Sequence, residues 1–210
     1  MPYKCPQTST SAPYVVYNSD RNVIEVMGNF AHNYNCSQHY FFKNKQFQLF
    51  SGSLYTSTYR ASIINVPTVG TISIGGYNTE QKKYVKDVRV VTPSTTLQPL
   101  TSRSYNYLKS FAGTAYSRTA VTVDKNAVYV VGGWNYPDSS TNSNQIYSID
   151  FNDINTYDDA KQRSWKFLDN LSDGVYGATV QLYDSQLFVA GFGSNPNDIT
   201  AGNVYRRAID

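Results

Sequence analysis

Residues 120–133 read Ala120-Val121-Thr122-Val123-Asp124-Lys125-Asn126-Ala127-Val128-Tyr129-Val130-Val131-Gly132-Gly133, and this stretch decides the fold. Two runs of β-branched and aromatic residues flank the polar triplet Asp124-Lys125-Asn126. Such a pattern predicts an antiparallel hairpin with a tight turn, and the glycine pair ends it.

Working outward, the same plan recurs three times. Upstream, Tyr14-Val15-Val16-Tyr17 turns at Ser19-Asp20-Arg21-Asn22 into a run from Val23 to Met27 that meets Gly28. Next, Ser62-Ile63-Ile64 turns around Pro67 into Thr71-Ile72-Ser73-Ile74 and Gly75-Gly76. Downstream, Ala178-Thr179-Val180 turns at Tyr183-Asp184-Ser185 into Leu187-Phe188-Val189-Ala190 and Gly191. The lead glycines at 28, 75, 132 and 191 recur every 47 to 59 residues. One small antiparallel sheet per repeat suits that period, which is how a β-propeller blade is built.

Each repeat continues with a predicted third strand: His39-Tyr40-Phe41-Phe42, Val88-Arg89-Val90-Val91, Ile146-Tyr147-Ser148-Ile149 and Val204-Tyr205-Arg206-Arg207. Fourth strands are predicted at Phe47-Gln48-Leu49-Phe50, Leu97-Gln98-Pro99-Leu100 and Trp165-Lys166-Phe167-Leu168, with none in the last repeat. The expected blades are 13–54, 58–101, 116–169 and 175–210, all within one domain. The best helical candidate, residues 155–166, has no continuous apolar face, so an all-β fold is expected.

The third repeat, with Arg118, Gly132-Gly133, Tyr147 and Trp165, resembles the kelch repeat. That family places Arg near the first strand, a glycine pair after the second, Tyr in the third and Trp in the fourth. The second repeat keeps Arg60 and Gly75-Gly76 but has Arg89 and Leu97 at the aromatic places. The first keeps Gly28, Tyr40 and Phe47, and the fourth keeps Gly191 and Tyr205. The resemblance implies a propeller whose Tyr and Trp fill the space between blades, each burying roughly 150–250 Å². It also implies that Arg60 and Arg118 point towards a central channel, able to hold an acidic peptide or a carboxylate or to bond within the ring.

Kelch propellers usually carry about six or seven blades, within the range propellers adopt. Four blades leave three ways to finish the structure: a ring of four closed by a strand from residues 1–12 around Pro2-Tyr3-Lys4-Cys5, a homodimer completing a ring, or a piece of a longer protein. Open blade edges would otherwise invite aggregation.

Composition narrows the function. Aromatic residues form 15 % of the 210 residues and charged residues 16 %, the reverse of a disordered chain. A net charge of +3 without any Lys/Arg block gives no footprint for nucleic acid or a membrane surface. Cys5 and Cys36 are too few for a disulfide scaffold, though one bridge between them would suit secretion, as would the acceptor triplets at Asn35 and Asn170. Secreted and cytoplasmic locations both stay open.

Catalytic chemistry has little to draw on. His32, Cys36 and His39 put three metal-capable side chains within eight residues, but no fourth ligand is evident and exposed loop positions are expected. Some kelch-like propellers are copper oxidases resembling galactose oxidase, which take two Tyr, two His and a Cys from several blades. Both histidines here come from one repeat. No G-x-S-x-G is present, the glycine pairs lack the Lys of a phosphate loop, and Asp158-Asp159 reads as a solvated loop. No cofactor and no enzymatic activity are expected.

Recognition is the better reading. The loops at 30–38, 77–86, 134–144 and 193–202 are rich in Tyr, Asn, Ser and Thr, as recognition surfaces are. The binding residues expected are Tyr77, Asn78, Trp134, Asn135, Tyr136, Asn195, Arg60 and Arg118. The principal expectation is a protein or peptide partner. The alternative is a lectin-like propeller with Trp134, Tyr136 and Tyr77 stacking on sugar.

Overall fold

The structure, a computed structural model, describes residues 14–29, 37–50, 58–78, 81–97, 107–115, 117–135, 142–192 and 202–209. Four small antiparallel sheets follow one another along the chain and make a four-bladed β-propeller. Blade 1 comprises β1 (Tyr14–Asn18), β2 (Val23–Asn29), β3 (Ser37–Lys43) and β4 (Gln46–Leu49). Between the first two blades β5 (Thr58–Tyr59) begins a small accessory sheet. Blade 2 is built on β6 (Ser62–Val66) and β7 (Gly70–Ile74). The accessory strands β8 (Tyr77–Asn78) and β9 (Lys83–Tyr84) follow, and then β10 (Val88–Pro93) and β11 (Tyr107–Leu108) complete the blade. Blade 3 comprises β12 (Ala120–Asp124), β13 (Ala127–Val131), β14 (Gln145–Asp150), the short helix α1 (Tyr157–Gln162) and β15 (Lys166–Asn170). Blade 4 has three strands, β16 (Tyr176–Tyr183), β17 (Gln186–Phe192) and β18 (Gly202–Ala208).

The hairpins form where strand-forming runs meet across polar turns. Ala120 pairs Val131 and Asp124 pairs Ala127 around the turn at 125–126, with Lys125 at φ 51°. Two expectations need correction. The fourth strand of blade 2 is β11, where Leu108 pairs Val88, in place of the expected run from Leu97, of which residues 98–100 lie outside the described residues. Leu97 is buried outside any strand, so its apolarity serves the core instead of a sheet. The pair Asp158-Asp159 is not in a loop but in the first turn of α1. There Asp159 and Thr156 form a capping box, and Asp158 pairs Lys161 at 2.9 Å. The proposed closing strand in residues 1–12 lies outside the described residues.

Blades pack face to face, with β1 against β6, β6 against β12, and β12 against β16. One core joins blades 2 and 3: Ile72, Ile74, Val88 and Val90 meet Val128, Val130 and Ile149, with Phe151 and Tyr157 sealing one end. Phe111 stands edge-on to Tyr147 at 5.4 Å and to Trp165 at 5.1 Å, which fills the space between the blades as expected of those two residues. A second core joins blades 3 and 4 through Val131, Ile146, Val180 and Val189. Blade 1 has no residue in either core and meets blade 2 through polar groups centred on the fully buried Glu25.

Candidate functional site

Arg60 and Arg118 occupy equivalent places, each two residues before the innermost strand of its blade, and both have left-handed backbones at φ 61° and 54°. The backbone links these places in series: Arg118 N donates to Arg60 O at 2.9 Å, and Gly177 N donates to Arg118 O at 3.2 Å. Gly177, at φ 56°, holds the corresponding place in blade 4.

The glycine pair is part of this construction. Gly133 has φ 105°, and a Cβ there would lie 2.6 Å from Thr119 Cγ2 and 2.9 Å from Ser117 O. Gly76 approaches Ala61 in the same way in blade 2. Bare glycine lets the outgoing strand pass directly over the residues that flank the arginine. The next residue after Gly133, Trp134, is then pinned by backbone bonds with Ser117 and bridges to Asn142.

Trp134 collects both arginines. The guanidinium carbon of Arg60 lies 5.4 Å from its ring centroid and that of Arg118 5.8 Å, both within cation–π range. Arg118 is also 5.9 Å from the Tyr176 ring. Arg60 Nη1 donates to the Tyr84 hydroxyl at 2.6 Å, and Tyr84 is edge-on to Trp134 at 6.4 Å and to Tyr77 at 5.2 Å. Behind Arg60, the Tyr14 hydroxyl accepts from Ala61 N at 2.9 Å, and burial pushes its pKa up to about 12. The Arg118 guanidinium has no hydrogen-bond or ion-pair partner among the described residues, and the residue is half-buried. Two cations and four aromatic rings from blades 2, 3 and 4 therefore surround one spot suited to an anion.

The structure thus brings together Arg60, Arg118, Trp134 and Tyr77 of the expected set. Asn78 is 1 % exposed and its Oδ1 accepts from Gln81 N, so it shapes the turn beneath the cluster. Asn135 follows Trp134 and is half-buried; its Oδ1 lies out of reach of solvent. Tyr136 and Asn195 lie outside the described residues. Sequence reading did not single out Tyr84, Tyr176 or Ser117. Tyr176 and Ser117 stand one residue before the arginine place in their repeats, so aligning the repeats there would have exposed them.

His39 is not an exposed loop residue: it sits on β3 at 3 % exposure, its Nε2 2.9 Å from Glu25 Oε2. His32, Cys36 and Cys5 lie outside the described residues. Among the described residues no cluster of three metal-capable side chains occurs. A cleft of about 180 Å³ between β15 and β18, lined by Phe167, Asp169 and Arg207, is smaller than the ~300–1,000 Å³ of ligand sites. Among the described residues no helix is long and apolar enough to cross a membrane.

A repeat propeller with a cationic–aromatic spot at the start of its inner strands is the class of protein this geometry defines. A family model described as the Kelch motif matches residues 115–153, from just before Arg118 to just past β14. The matched stretch is one of the four repeats, and together with the four-bladed arrangement it supports a kelch-repeat β-propeller. No curated protein matches it. Kelch propellers generally mediate protein interactions and are typically non-enzymatic scaffolds.

Proposed function

We propose that this propeller is a non-catalytic interaction module that binds an acidic segment of a partner protein at the Arg60–Trp134–Arg118 cluster. The observation that carries this reading is the Arg118 guanidinium, held between Trp134 and Tyr176 with its donors unpaired among the described residues. A pre-oriented guanidinium matches a carboxylate in two-pronged geometry, and little side-chain entropy remains to be lost on binding.

The lectin-like alternative is less favoured because both guanidiniums already stack over Trp134 and compete with a sugar ring for it. The galactose-oxidase-like alternative needs two histidines at a metal, whereas His39 is enclosed with Glu25. Fluorescence anisotropy with acidic, neutral and basic peptides, run beside a glycan array, tests the reading. Acidic peptides should bind, with affinity falling as salt rises. Saturable glycan binding with no peptide binding would sink it.

A further inference from the structure

Each blade has two faces, and the strand registers show which neighbour each one meets. In blade 3 the row Val121, Val130, Tyr147 and Phe167 faces blade 2, while Ala120, Val131 and Ile146 face blade 4. Blade 4 repeats the rule, since Val180 and Val189 pack back onto blade 3. Every interface is therefore head-to-tail.

The corresponding backward face of blade 1 is a two-by-four grid without one charged residue. One row pairs Val15, Val26, Tyr40 and Leu49 across all four strands. The other pairs Tyr17, Ile24, Phe42 and Phe47. The first row matches Val121, Val130, Tyr147 and Phe167 of blade 3 position for position, including the tyrosine. In blade 3 Val130 is fully buried against blade 2 and Val121 and Tyr147 are half-buried there, with Phe167 at the rim 47 % exposed; in blade 1 Val15 is 64 % exposed, Leu49 65 % and Phe47 64 %. Apolar patches of this kind on a soluble surface mark interaction sites.

Blade 4 is open on its forward face. Tyr183 and Val204 are each 73 % exposed, and Phe188 lies between Gln181 and Arg206 in the register. No packing of comparable extent joins β16 back to β1 among the described residues. The molecule carries one uncovered half of its own repeating interface at each end of the arc.

We infer that a second copy of this chain supplies the missing neighbour: blade 1 of one copy packs on blade 4 of the other, and the contact occurs twice about a two-fold axis. Both halves are on one chain and continue an interface the molecule already uses three times. A head-to-tail contact that closes gives a ring instead of a filament. Two four-bladed arcs make eight blades, at the upper end of the ~4–8 that propellers adopt.

Analytical ultracentrifugation across a wide concentration range tests this. The expected species is a dimer at twice 23.6 kDa. Phe47→Asp and Tyr183→Asp should each raise the dissociation constant by at least about tenfold, because a carboxylate must be buried unpaired. Both positions are solvent-exposed in the single chain, so circular dichroism should stay unchanged. An equimolar mixture of the two variants regains one intact contact and should recover dimer in part. A wild-type monomer at every concentration would overturn the inference, whether the faces are left bare or take up other blades. So would a dimer lost with Phe47→Asp but indifferent to Tyr183→Asp, which would mean that blade 1 pairs with itself.

Discussion

Glu25 on β2 and His39 on β3 face each other at 2.9 Å where blade 1 meets blade 2, and both side chains are closed to solvent. Glu25 Oε2 also accepts from Thr92 Oγ1 at 2.6 Å, and Oε1 accepts from Thr71 Oγ1 at 3.0 Å and from Asn18 Nδ2. Two of these donors, Thr71 and Thr92, belong to blade 2. The carboxylate is thus the bolt between the blades.

Acid should draw that bolt. Desolvation pushes the Glu25 pKa up, but hydrogen bonds from His39, Thr92 and Asn18 outweigh it and hold the group below its ordinary 4.5. A depressed folded-state value means the stabilisation is present above about pH 4.5 and is lost as pH falls through the folded value. Denaturation midpoints taken from pH 7 downward should drop over that range. Glu25→Gln should cost about 3 kcal/mol at pH 7 and flatten the acid limb.

Blade 1 should open before the others, because it shares neither apolar core. Hydrogen exchange followed by mass spectrometry should show β1 to β4 exchanging first. Thr92→Val should widen the gap in protection between blade 1 and blades 2 and 3 by removing one of the Glu25 donors, at a cost of about 1–2 kcal/mol. Uniform protection across all blades would refute the idea of a polar hinge.

Tyr157 ties α1 of blade 3 to blade 2: its hydroxyl donates to Val69 O and accepts from Ser94 N, each at 2.9 Å. Tyr157→Phe leaves both backbone groups buried and unmatched, at about 1–3 kcal/mol by chemical denaturation. Burial pushes its pKa up to about 12. The associated stability is whole below the ordinary 10 and fades as pH climbs towards 12, so stability should fall more steeply over that range in chains that keep the hydroxyl than in Tyr157→Phe, and the gap between the two should narrow.

Binding of an acidic peptide should weaken roughly 10–100-fold in Arg118→Gln, the value of a charge-assisted hydrogen bond. Trp134→Ala should weaken it by releasing both guanidiniums, while thermal stability in Arg118→Gln stays near wild type.

Gly177 offers a gain of function. It already has the left-handed backbone at which Arg60 and Arg118 stand, and a Cβ there meets nothing within 4 Å. Gly177→Arg should place a third guanidinium beside Tyr176 at about 1–2 kcal/mol of backbone cost. Peptide affinity should rise and its salt dependence steepen; unchanged affinity would mean that the arginine series is not the docking line.

The blades were readable in the chain because each is a set of hairpins between neighbouring runs, and alternation with turn residues encodes such pairing locally. Residues 120–131 pair as that pattern predicts. β11 escaped because a two-residue strand carries no alternation. Trp134, Arg60 and Arg118 were visible as residue types, yet their meeting was not. Nothing near Trp134 in sequence announces a guanidinium from residue 60. The same holds for Glu25, whose place between Val23 and Met27 looks like a break in an apolar face until Thr71 and Thr92 are brought to it. Local strand pairing is a property of the chain alone; which face meets which blade, which cations share an indole and which apolar grid stays bare are properties of packing between segments far apart in the chain, 46 to 88 residues at the Glu25 and Tyr157 contacts, and only the assembled fold decides them.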